Sequence, residues 1–267
     1  MFILEKDLCI QCGACVDICH QKSLELTDGE LLHHTEKCNW CGHCLAVCPR
    51  DAIMIDGEGY NVEDVEEFNL LTKPTAKQIR RQIMMRRSVR KFTEEAVTEE
   101  ELSYILEAAK YAPTARNAQD NMLLVVTNPD EIAALRDKSM EIIASLADKF
   151  QEKVPGLSAF FRMRYQAYKN GEDVLFYDAP AVIYVFSDND LDGAICASTM
   201  MQMIGAQSDL GACYVQLASD PFNNSEKLKE EYQIPANKKC VIAIVLGHTD
   251  IEFLSSVQRK EIPIIRK

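Results

Sequence analysis

The feature that most constrains the fold of this chain is a repeated pattern of four cysteines near its N-terminus. The run CIQCGACVDIC at residues 9–19 recurs as CNWCGHCLAVC at residues 38–48, and each run has the spacing C-x2-C-x2-C-x3-C. Eight of the eleven cysteines lie in these two runs. A zinc module would use two C-x2-C pairs and would leave the third and fourth cysteines of each run without a role. The repeat therefore predicts a metal centre of another kind, in a reducing compartment where thiols stay free of disulfides.

The spacing of each run is that of the bacterial ferredoxins, which hold two [4Fe–4S] clusters. Three cysteines spaced three apart in a loop can wrap one face of a cubane, and in this pattern the fourth ligand comes from the other run. One cluster is thereby assigned to Cys9, Cys12, Cys15 and Cys48. The other is assigned to Cys38, Cys41, Cys44 and Cys19. Pro49 follows the last cysteine of the second run, whereas His20 stands at the matching place of the first run, so we expect a different local turn there.

The charge and hydropathy of the chain argue against two kinds of partner, nucleic acids and membranes. Acidic residues outnumber basic ones, 41 against 29, which gives a formal net charge of −12. Such a chain repels nucleic acid and anionic lipid surfaces. No apolar run reaches the roughly 18 to 20 residues of a membrane helix, and the first residues lack the pattern of a secretory signal. We therefore expect a cytoplasmic protein without nucleic-acid or membrane partners.

Composition and periodicity divide the chain into three parts. Residues 1–60 hold the cysteine runs, and a short β-like segment follows each run, at residues 23–26 and 52–56. Residues 61–74 are expected to form a linker. Residues 75–267 mix helix and strand periodicity without strict βαβ alternation, so the predicted fold class is α+β.

Hydrophobic patterning predicts individual elements within the last part. Thr98 and Glu101 have the spacing of a capping box that begins a helix, and that helix is expected to stop at Pro113. The segment 181–186 is apolar throughout, which indicates a strand buried on both faces. The other predicted elements are a helix at 75–87, strands at 122–127 and 240–247, and helices at 130–150 and 191–210.

Two short segments carry candidate binding residues. The sequence MRRSVRKF at 85–92 places four cations around one hydroxyl, and if they converge, Arg86, Ser88 and Arg90 form an anion cradle suited to phosphate. The alternative is a solvated basic turn after a helix. The sequence AKYAPTARNAQ at 109–119 has small residues and an asparagine, which would let a flat ring approach the backbone. The alternative is an ordinary loop after a helix, and the residues alone leave both alternatives open.

Taken in order, these motifs resemble the nitroreductase family of FMN flavoproteins. The resemblance rests on RRSVRKF, then APTARNAQ before a strand, a long helix rich in Ala and Met, LGACY at 210–214, and a late strand ending in Gly247 and His248. It spans residues 75–267, and the whole chain looks like the members that carry an N-terminal two-cluster ferredoxin domain. The resemblance implies an intertwined homodimer with FMN at the subunit interface.

The resemblance also implies which residues hold FMN. Those expected at the phosphate and at the polar edge of the flavin are Arg86, Ser88 and Arg90, with Arg87 contributing through its backbone. Those expected along the flavin and its ribityl chain are Pro113, Thr114, Asn117, Tyr214, Val215 and Gln216. A C-terminal basic pair expected near the phosphate is Arg259 and Lys260. The chain departs from the family at Asp120, where the family has proline, and at Leu217, where it has glycine.

The expected function is that of an FMN-dependent oxidoreductase, which passes electrons from two [4Fe–4S] clusters to FMN and on to a small organic acceptor. The acceptors typical of the family are nitroaromatics and quinones. The expected donor is an external ferredoxin or NAD(P)H, and no G-x-G-x-x-G motif indicates a Rossmann domain in this chain. No side chain is identified as a proton donor, so no catalytic residue is named. Two alternatives stay open: an electron-transfer or storage protein, and a redox sensor without turnover.

Other conspicuous residues have simpler interpretations. Cys196, Cys213 and Cys240 lie in apolar surroundings and are expected to be buried thiols. Three tyrosines either line a substrate mouth or pack in the core or at an interface, and the residues alone leave both alternatives open; they are Tyr165, Tyr168 and Tyr177.

Overall fold

The computed structural model describes residues 1–57, 59–60, 62–207 and 209–267. Asn61, the first position of the predicted linker, lies outside the described residues, as do Glu58 and Ser208. Among the helices that are described, none combines the length and the apolar composition that crossing a bilayer requires.

The described chain forms two compact units. The first comprises Met1–Lys73 together with a short later segment, Ala115–Ala118. The second comprises Pro74–Thr114 and Gln119–Lys267. The domain boundaries expected from the sequence, at residues 60 and 75, remain predictions.

Two small antiparallel sheets flank the cysteine runs of the first unit. Its elements are β1 (Phe2–Leu4), α1 (Ala14–Ile18), β2 (Leu24–Thr27), β3 (Glu30–His33), α2 (His43–Ala46) and β4 (Ile53–Ile55). Strand β1 pairs with β4, and β2 pairs with β3. The β-like segments predicted after the two runs are confirmed as β2 and β4. Gly13 and Gly42 have φ angles of 77° and 71°, a left-handed conformation open to glycine, and it turns each cysteine loop into its short helix.

A four-stranded antiparallel sheet forms the centre of the second unit. Its strands are β5 (Met122–Val126), β6 (Ala181–Ser187), β7 (Leu210–Val215) and β8 (Lys239–His248). They lie in the order β5-β6-β8-β7, so that β7 is an edge strand. Every residue of β6 is buried, which confirms the burial on both faces predicted from its unbroken apolar run.

Helices cover both faces of this sheet. They are α3 (Ala76–Met85), α4 (Glu99–Lys110), α5 (Pro129–Lys149), α6 (Pro155–Lys169), α7 (Asp190–Ile204), α8 (Ser219–Asn224) and α9 (Glu226–Glu231). Successive side chains of β6 alternate between two hydrophobic clusters, as strand geometry requires. Tyr184 packs in a cluster with residues of α5 and α6, while Ile183 packs in a cluster with residues of α4 and α7. The predicted α+β class is confirmed.

The helix boundaries test the sequence predictions one by one. The capping box is confirmed, since the Thr98 hydroxyl accepts from the Glu101 N–H and the Glu101 carboxylate accepts from the Thr98 N–H. The helix predicted at 191–210 is too long. Helix α7 ends at Ile204, because Gly205 caps it and glycine disfavours a helix interior, and Leu210 already belongs to β7. Helix α6 was absent from the sequence predictions.

Candidate functional site

One cavity of the first unit is lined by four cysteines and by apolar side chains of β2, β3 and β4. The four cysteines are Cys9, Cys12, Cys15 and Cys48. Three come from one run and the fourth from the other, which is the combination that the spacing assigns to one cluster. The backbone N–H of Ala52 points at the Cys48 Sγ over 3.3 Å, a donation that favours a charged thiolate.

A second cavity of the same unit is lined by the other four cysteines. They are Cys19, Cys38, Cys41 and Cys44. The Ser23 backbone N–H lies 3.3 Å from the Cys19 Sγ, and the Trp40 N–H lies 3.4 Å from the Cys38 Sγ. Burial acts to raise the pKa of Cys19, but hydrogen bonds from Ser23 outweigh it and hold that pKa below its ordinary value.

The donor set of these cavities fits iron–sulfur clusters. All eleven cysteines of the chain are among the described residues, and all are free thiols. Burial raises the pKa of Cys44 to about 11 and also raises the pKa of Cys15. A cationic metal core offsets this effect because metal ligation requires the thiolate. Four thiols around each cavity, with backbone donors aimed at sulfur, match the ligand set of a [4Fe–4S] cluster.

In the second unit, residues 86–90 run parallel to the edge strand β7. Ser88 forms an isolated parallel bridge with Ala212, and the Val89 N–H donates to the Ala212 carbonyl over 2.9 Å. The approach needs a glycine at position 211, because a Cβ on Gly211 would lie 2.7 Å from the Val89 side chain. The arginine-rich segment is therefore fixed to the sheet.

Arg86 and Arg87 line a cavity of about 300 Å³ beside the start of β7. Arg86 Nη1 and Arg87 Nε are buried, and neither has a hydrogen-bond partner among the described residues. An unsatisfied buried donor costs on the order of 1–3 kcal/mol, and more when the group is charged. A phosphate has several acceptor oxygens that would satisfy both donors. This arrangement favours the anion cradle over the solvated turn for these two arginines.

Arg90 and Ser88 do not line that cavity. The Arg90 guanidinium instead lies over the ring of Tyr177. The Tyr177 hydroxyl accepts a hydrogen bond from Arg164 Nη2 over 3.4 Å. Arg90 thus does not share the cavity of Arg86 and Arg87, and it has an aromatic partner that the sequence did not predict.

The predicted flavin residues Tyr214, Val215 and Gln216 lie at the opposite end of β7. At about 3.3 Å per residue, this end is roughly 16 Å from Leu210. The Tyr214 hydroxyl donates to the Ala197 carbonyl over 3.2 Å, and burial raises the pKa of Tyr214. Val215 is buried, and Gln216 Nε2 donates to a backbone carbonyl of β8 over 3.2 Å. Tyr214 and Val215 therefore lie on the same strand that residues 86–90 accompany, and Gln216 comes directly after it.

Side-chain hydrogen bonds of the second unit hold the two ends of the loop that follows α4, at Thr114 and at Asp120. The Thr114 hydroxyl accepts from the Gln119 N–H over 3.0 Å. The Asp120 carboxylate accepts from the Asp188 N–H over 2.9 Å and lies 3.3 Å from the Lys238 ammonium. Burial acts to raise the pKa of Asp120, but these two partners outweigh it and hold that pKa below its ordinary value. Asp120 thus anchors the end of the loop.

Asn117, predicted to meet the flavin, belongs to the first unit. Its side-chain amide donates to the carbonyl oxygens of Asn39 and Trp40 over 3.1 and 3.0 Å. Its φ of 57° is left-handed, a conformation that asparagine tolerates better than most residues. Asn117 therefore holds the loop between the first two cysteines of the second run, and nothing in the sequence pattern indicated this contact.

The remaining residues predicted to bind FMN are exposed in the structure. Pro113 is exposed at the end of α4. Arg259 and Lys260 are exposed in the segment after β8, which has no helix or strand. They are not among the residues that line the cavity of Arg86 and Arg87.

Three cysteines and two tyrosines of the second unit are not among the predicted flavin residues, and the cysteines are buried. The burial predicted for Cys196, Cys213 and Cys240 is confirmed, and burial raises the pKa of Cys196 to about 11. Tyr165 on α6 donates to the Glu141 carboxylate over 2.9 Å, and its ring packs against that of Tyr168.

Comparison with known proteins identifies the family of the second unit. Residues 83–248 match the nitroreductase family, and this match covers more than half of the chain. The chain belongs to the nitroreductase family. Residues 8–52 match the 4Fe-4S dicluster domain. These matches confirm the predicted combination of an FMN-type oxidoreductase with a dicluster ferredoxin domain.

Individual relatives agree with both assignments. A ferredoxin of Pyrobaculum islandicum is 44% identical over 52 residues, which is 19% of this chain and 49% of that protein, so the chain spans about half of that relative. A nitroreductase with bound FMN from Bacteroides fragilis has a TM-score of 0.58 at 19% identity, covering 71% of this chain and 99% of that one. A nitroreductase with bound FMN from Desulfitobacterium hafniense has a TM-score of 0.55 at 21% identity, covering 70% and 98%. The predicted cofactors are those of the matching domain and of the matching structures.

Proposed function

We propose that this protein is an FMN-dependent reductase that draws single electrons through two [4Fe–4S] clusters and reduces a small nitroaromatic- or quinone-like acceptor. The observation that carries the FMN part is the pair of buried, unpartnered guanidinium donors of Arg86 and Arg87 on one cavity wall. Membership of the nitroreductase family and the dicluster match support the same conclusion.

In this proposal the cysteines hold the clusters in two sets of four. The first set is Cys9, Cys12, Cys15 and Cys48, and the second is Cys38, Cys41, Cys44 and Cys19. When bound, the clusters carry electrons singly, and FMN converts between one-electron and two-electron transfer. The backbone N–H groups of Ala52 and Ser23 donate to the Sγ atoms of Cys48 and Cys19 and favour the charged thiolate ligands.

The flavin site in this proposal follows β7. Arg86 and Arg87 bind the phosphate, and Ser88 is held beside Ala212 by the parallel bridge. Arg90 supplies a positive charge at the polar edge of the flavin, where it stabilises negative charge. Tyr214, Val215 and Gln216 offer backbone along the ring. Pro113, Thr114 and Asn117, which follow α4 in the chain, are also assigned to the flavin and its ribityl chain. Arg259 and Lys260 complete the phosphate site. No side chain is assigned as a proton donor.

We also propose that the chain acts as a homodimer in the cytoplasm. Its exposed apolar side chains support a second copy: Ile79 and Ile83 on α3 are 46% and 55% exposed, and Leu254 is 92% exposed. The free thiols support a reducing compartment. An external ferredoxin or NAD(P)H is the proposed donor. Light scattering after gel filtration tests the dimer, and a mass of one chain would contradict it.

Anaerobic purification followed by assays of iron, sulfide and flavin tests the proposed function. We expect about eight iron atoms per chain, together with FMN. The variant Arg86→Ala should lose FMN and keep its iron. The matched control Arg80→Ala, an exposed arginine on α3, should keep both.

Each part of the proposal has an outcome that contradicts it. Iron without flavin in the unaltered protein would overturn the reductase and leave an electron carrier. Flavin without iron, in protein never exposed to air, would overturn the cluster assignment. Full cofactor content without turnover of any nitroaromatic or quinone would favour a redox sensor.

A further inference from the structure

The two cysteine runs give the clusters matched environments that can be compared residue by residue. Each cysteine of the first run has its counterpart 29 positions later, from Cys9 and Cys38 onward. The same offset pairs Ser23 with Ala52. A difference between paired positions is therefore a difference between the two cluster sites.

The backbone contribution at this pair is equal in the two sites. The Ser23 N–H donates to the Cys19 Sγ over 3.3 Å, and the Ala52 N–H donates to the Cys48 Sγ over 3.3 Å. Both residues are buried, with 3% and 1% of their surface exposed. The backbone at this position therefore gives no reason for the two clusters to differ.

The side chains at the same pair are not equal. The Ser23 hydroxyl lies 3.1 Å from the Cys19 Sγ. Once Cys19 is a deprotonated ligand, its sulfur can only accept, so the serine hydroxyl is the donor. Ala52 offers no donor to Cys48. At this pair of positions, the site of Cys19 thus has a side-chain hydrogen bond to sulfur that the site of Cys48 lacks.

Two histidines add to this asymmetry. Ring nitrogens of His20 and His43 and the Cys41 Sγ all lie within 4.8 Å of one another. The counterparts of these histidines are Pro49 and Ala14, whose side chains have no N–H to donate. Ser23 and the two histidines therefore all lie at the site of Cys38, Cys41, Cys44 and Cys19.

One group acts in the opposite direction. Arg50 lines the cavity of the other site, where its positive charge would favour a reduced cluster. Arg50 is exposed, however, and solvent and salt screen an exposed charge strongly. His20 and His43 are exposed as well, so the same screening applies to them. The hydroxyl of Ser23 is buried, and we therefore expect its hydrogen bond to the Cys19 Sγ to decide the order.

We propose that the cluster of Cys38, Cys41, Cys44 and Cys19 has the higher reduction potential of the two. Donors to cluster sulfur stabilise the reduced form, which carries one more negative charge. One electron then leaves the reduced cluster of Cys9, Cys12, Cys15 and Cys48, and the other cluster takes it up. The cluster with the histidines is the place where electrons collect. This inference rests on the proposed cluster ligands.

A redox titration of the anaerobic full-length protein, followed by electron paramagnetic resonance, tests the order. Iron and sulfide assays first establish that both clusters are present; their absence would defeat the proposed function and not the order. In the unaltered protein we expect two reduction steps. In Ser23→Ala combined with His43→Ala, the step at higher potential should move down. At a fixed potential its ratio of reduced to oxidised cluster should fall about tenfold, equivalent to about 59 mV for one electron.

The reciprocal variant keeps the test decisive even where that double variant fails to assemble. Ala52→Ser places a hydroxyl beside Cys48, so the step at lower potential should move up and the gap between the steps should narrow. A gap that stays unchanged or widens in Ala52→Ser would overturn the proposal. Movement of the lower step, instead of the higher one, in Ser23→Ala with His43→Ala would overturn it as well.

Discussion

The guanidinium carbon of Arg90 lies 5.7 Å from the centre of the Tyr177 ring, within the range of a cation–π interaction. Tyr177 itself is held in a left-handed conformation, with φ of 58°. The Asp173 carboxylate supports this turn by accepting from the N–H groups of Leu175, Phe176 and Asp178. A rigid turn thus places one aromatic ring under the cation that we propose for the edge of the flavin.

Replacing this ring should weaken flavin binding. In Tyr177→Leu, Arg90 loses a partner worth about 0.5–1 kcal/mol, so the FMN dissociation constant should rise about two- to fivefold. Titration of flavin-depleted protein by fluorescence measures it. The control is Tyr104→Leu, which changes a tyrosine on α4 that is 55% exposed. Equal affinities for the two variants would show that the ring does not position Arg90.

A methyl group at position 211 should separate the arginine segment from β7. In Gly211→Ala the new Cβ would lie 2.7 Å from the Val89 side chain, and overpacking of this kind costs about 1–3 kcal/mol. We expect a lower melting temperature and a lower FMN content. Gly156→Ala on α6 has no atom within 4 Å of its new Cβ and should be neutral or stabilising. Unchanged melting of Gly211→Ala would contradict the tight contact.

Asp120 should give the chain a stability that depends on pH. The pKa of Asp120 is lowered in the folded protein, so its contribution is present above the unfolded pKa of about 3.9 and is lost as pH falls through the folded value. Asp120→Asn should therefore cost about 1–2 kcal/mol at pH 7. The variant should therefore melt at a lower temperature than the unaltered protein at pH 7, and this difference should disappear as the pH falls through the folded pKa of Asp120.

The control for this pH dependence is Asp148→Asn. Asp148 is 80% exposed and pairs with the half-exposed Arg162 at 3.0 Å, and such surface pairs contribute little. Circular dichroism between pH 3 and pH 7 follows both variants. A gap for Asp120→Asn that persists unchanged at the acid end would show that its charge is not the source of the stability.

Asn117 should protect the cluster of the second cysteine run. In Asn117→Gly the left-handed backbone remains accessible, but the two hydrogen bonds to the carbonyls of Asn39 and Trp40 are lost. We expect about half of the cluster absorbance to decay faster in air. Asn170→Gly, beyond the end of α6, is the control and should leave the decay unchanged. Uniform decay of all the absorbance in Asn117→Gly would argue against a local effect.

The parts of the molecule that sequence predicts well are those set by local chemistry. Cysteine spacing predicts which three thiols of one run share a cavity, because a short loop leaves few ways to gather three sulfurs; the fourth thiol follows from the pattern of this repeat, in which it comes from the other run. The pair of Thr98 and Glu101 predicts its helix start, since both hydrogen bonds of the box form within four residues. The apolar run of β6 predicts a buried strand for the same local reason.

What sequence does not predict depends on contacts between distant segments. The helix expected to reach Leu210 ends at Ile204 with Gly205 as its cap, and Leu210 instead pairs with His248 of the distant strand β8. Tyr177 meets Arg90 across 87 residues of chain, and no periodic pattern records that contact. The place of Asn117 in the first unit is missed for the same reason.

The first unit includes the segment Ala115–Ala118, which follows Lys73 by about forty residues in the chain and is therefore synthesised later. A ribosome adds about 5–20 residues per second, so this segment is synthesised some seconds after Lys73. All eight cysteines of the two runs already exist during that interval, whereas Asn117, whose side chain holds the loop of Asn39 and Trp40, does not. On the nascent chain, the hydrogen bonds from Asn117 to these two carbonyls therefore form only after the whole of the second cysteine run has been synthesised.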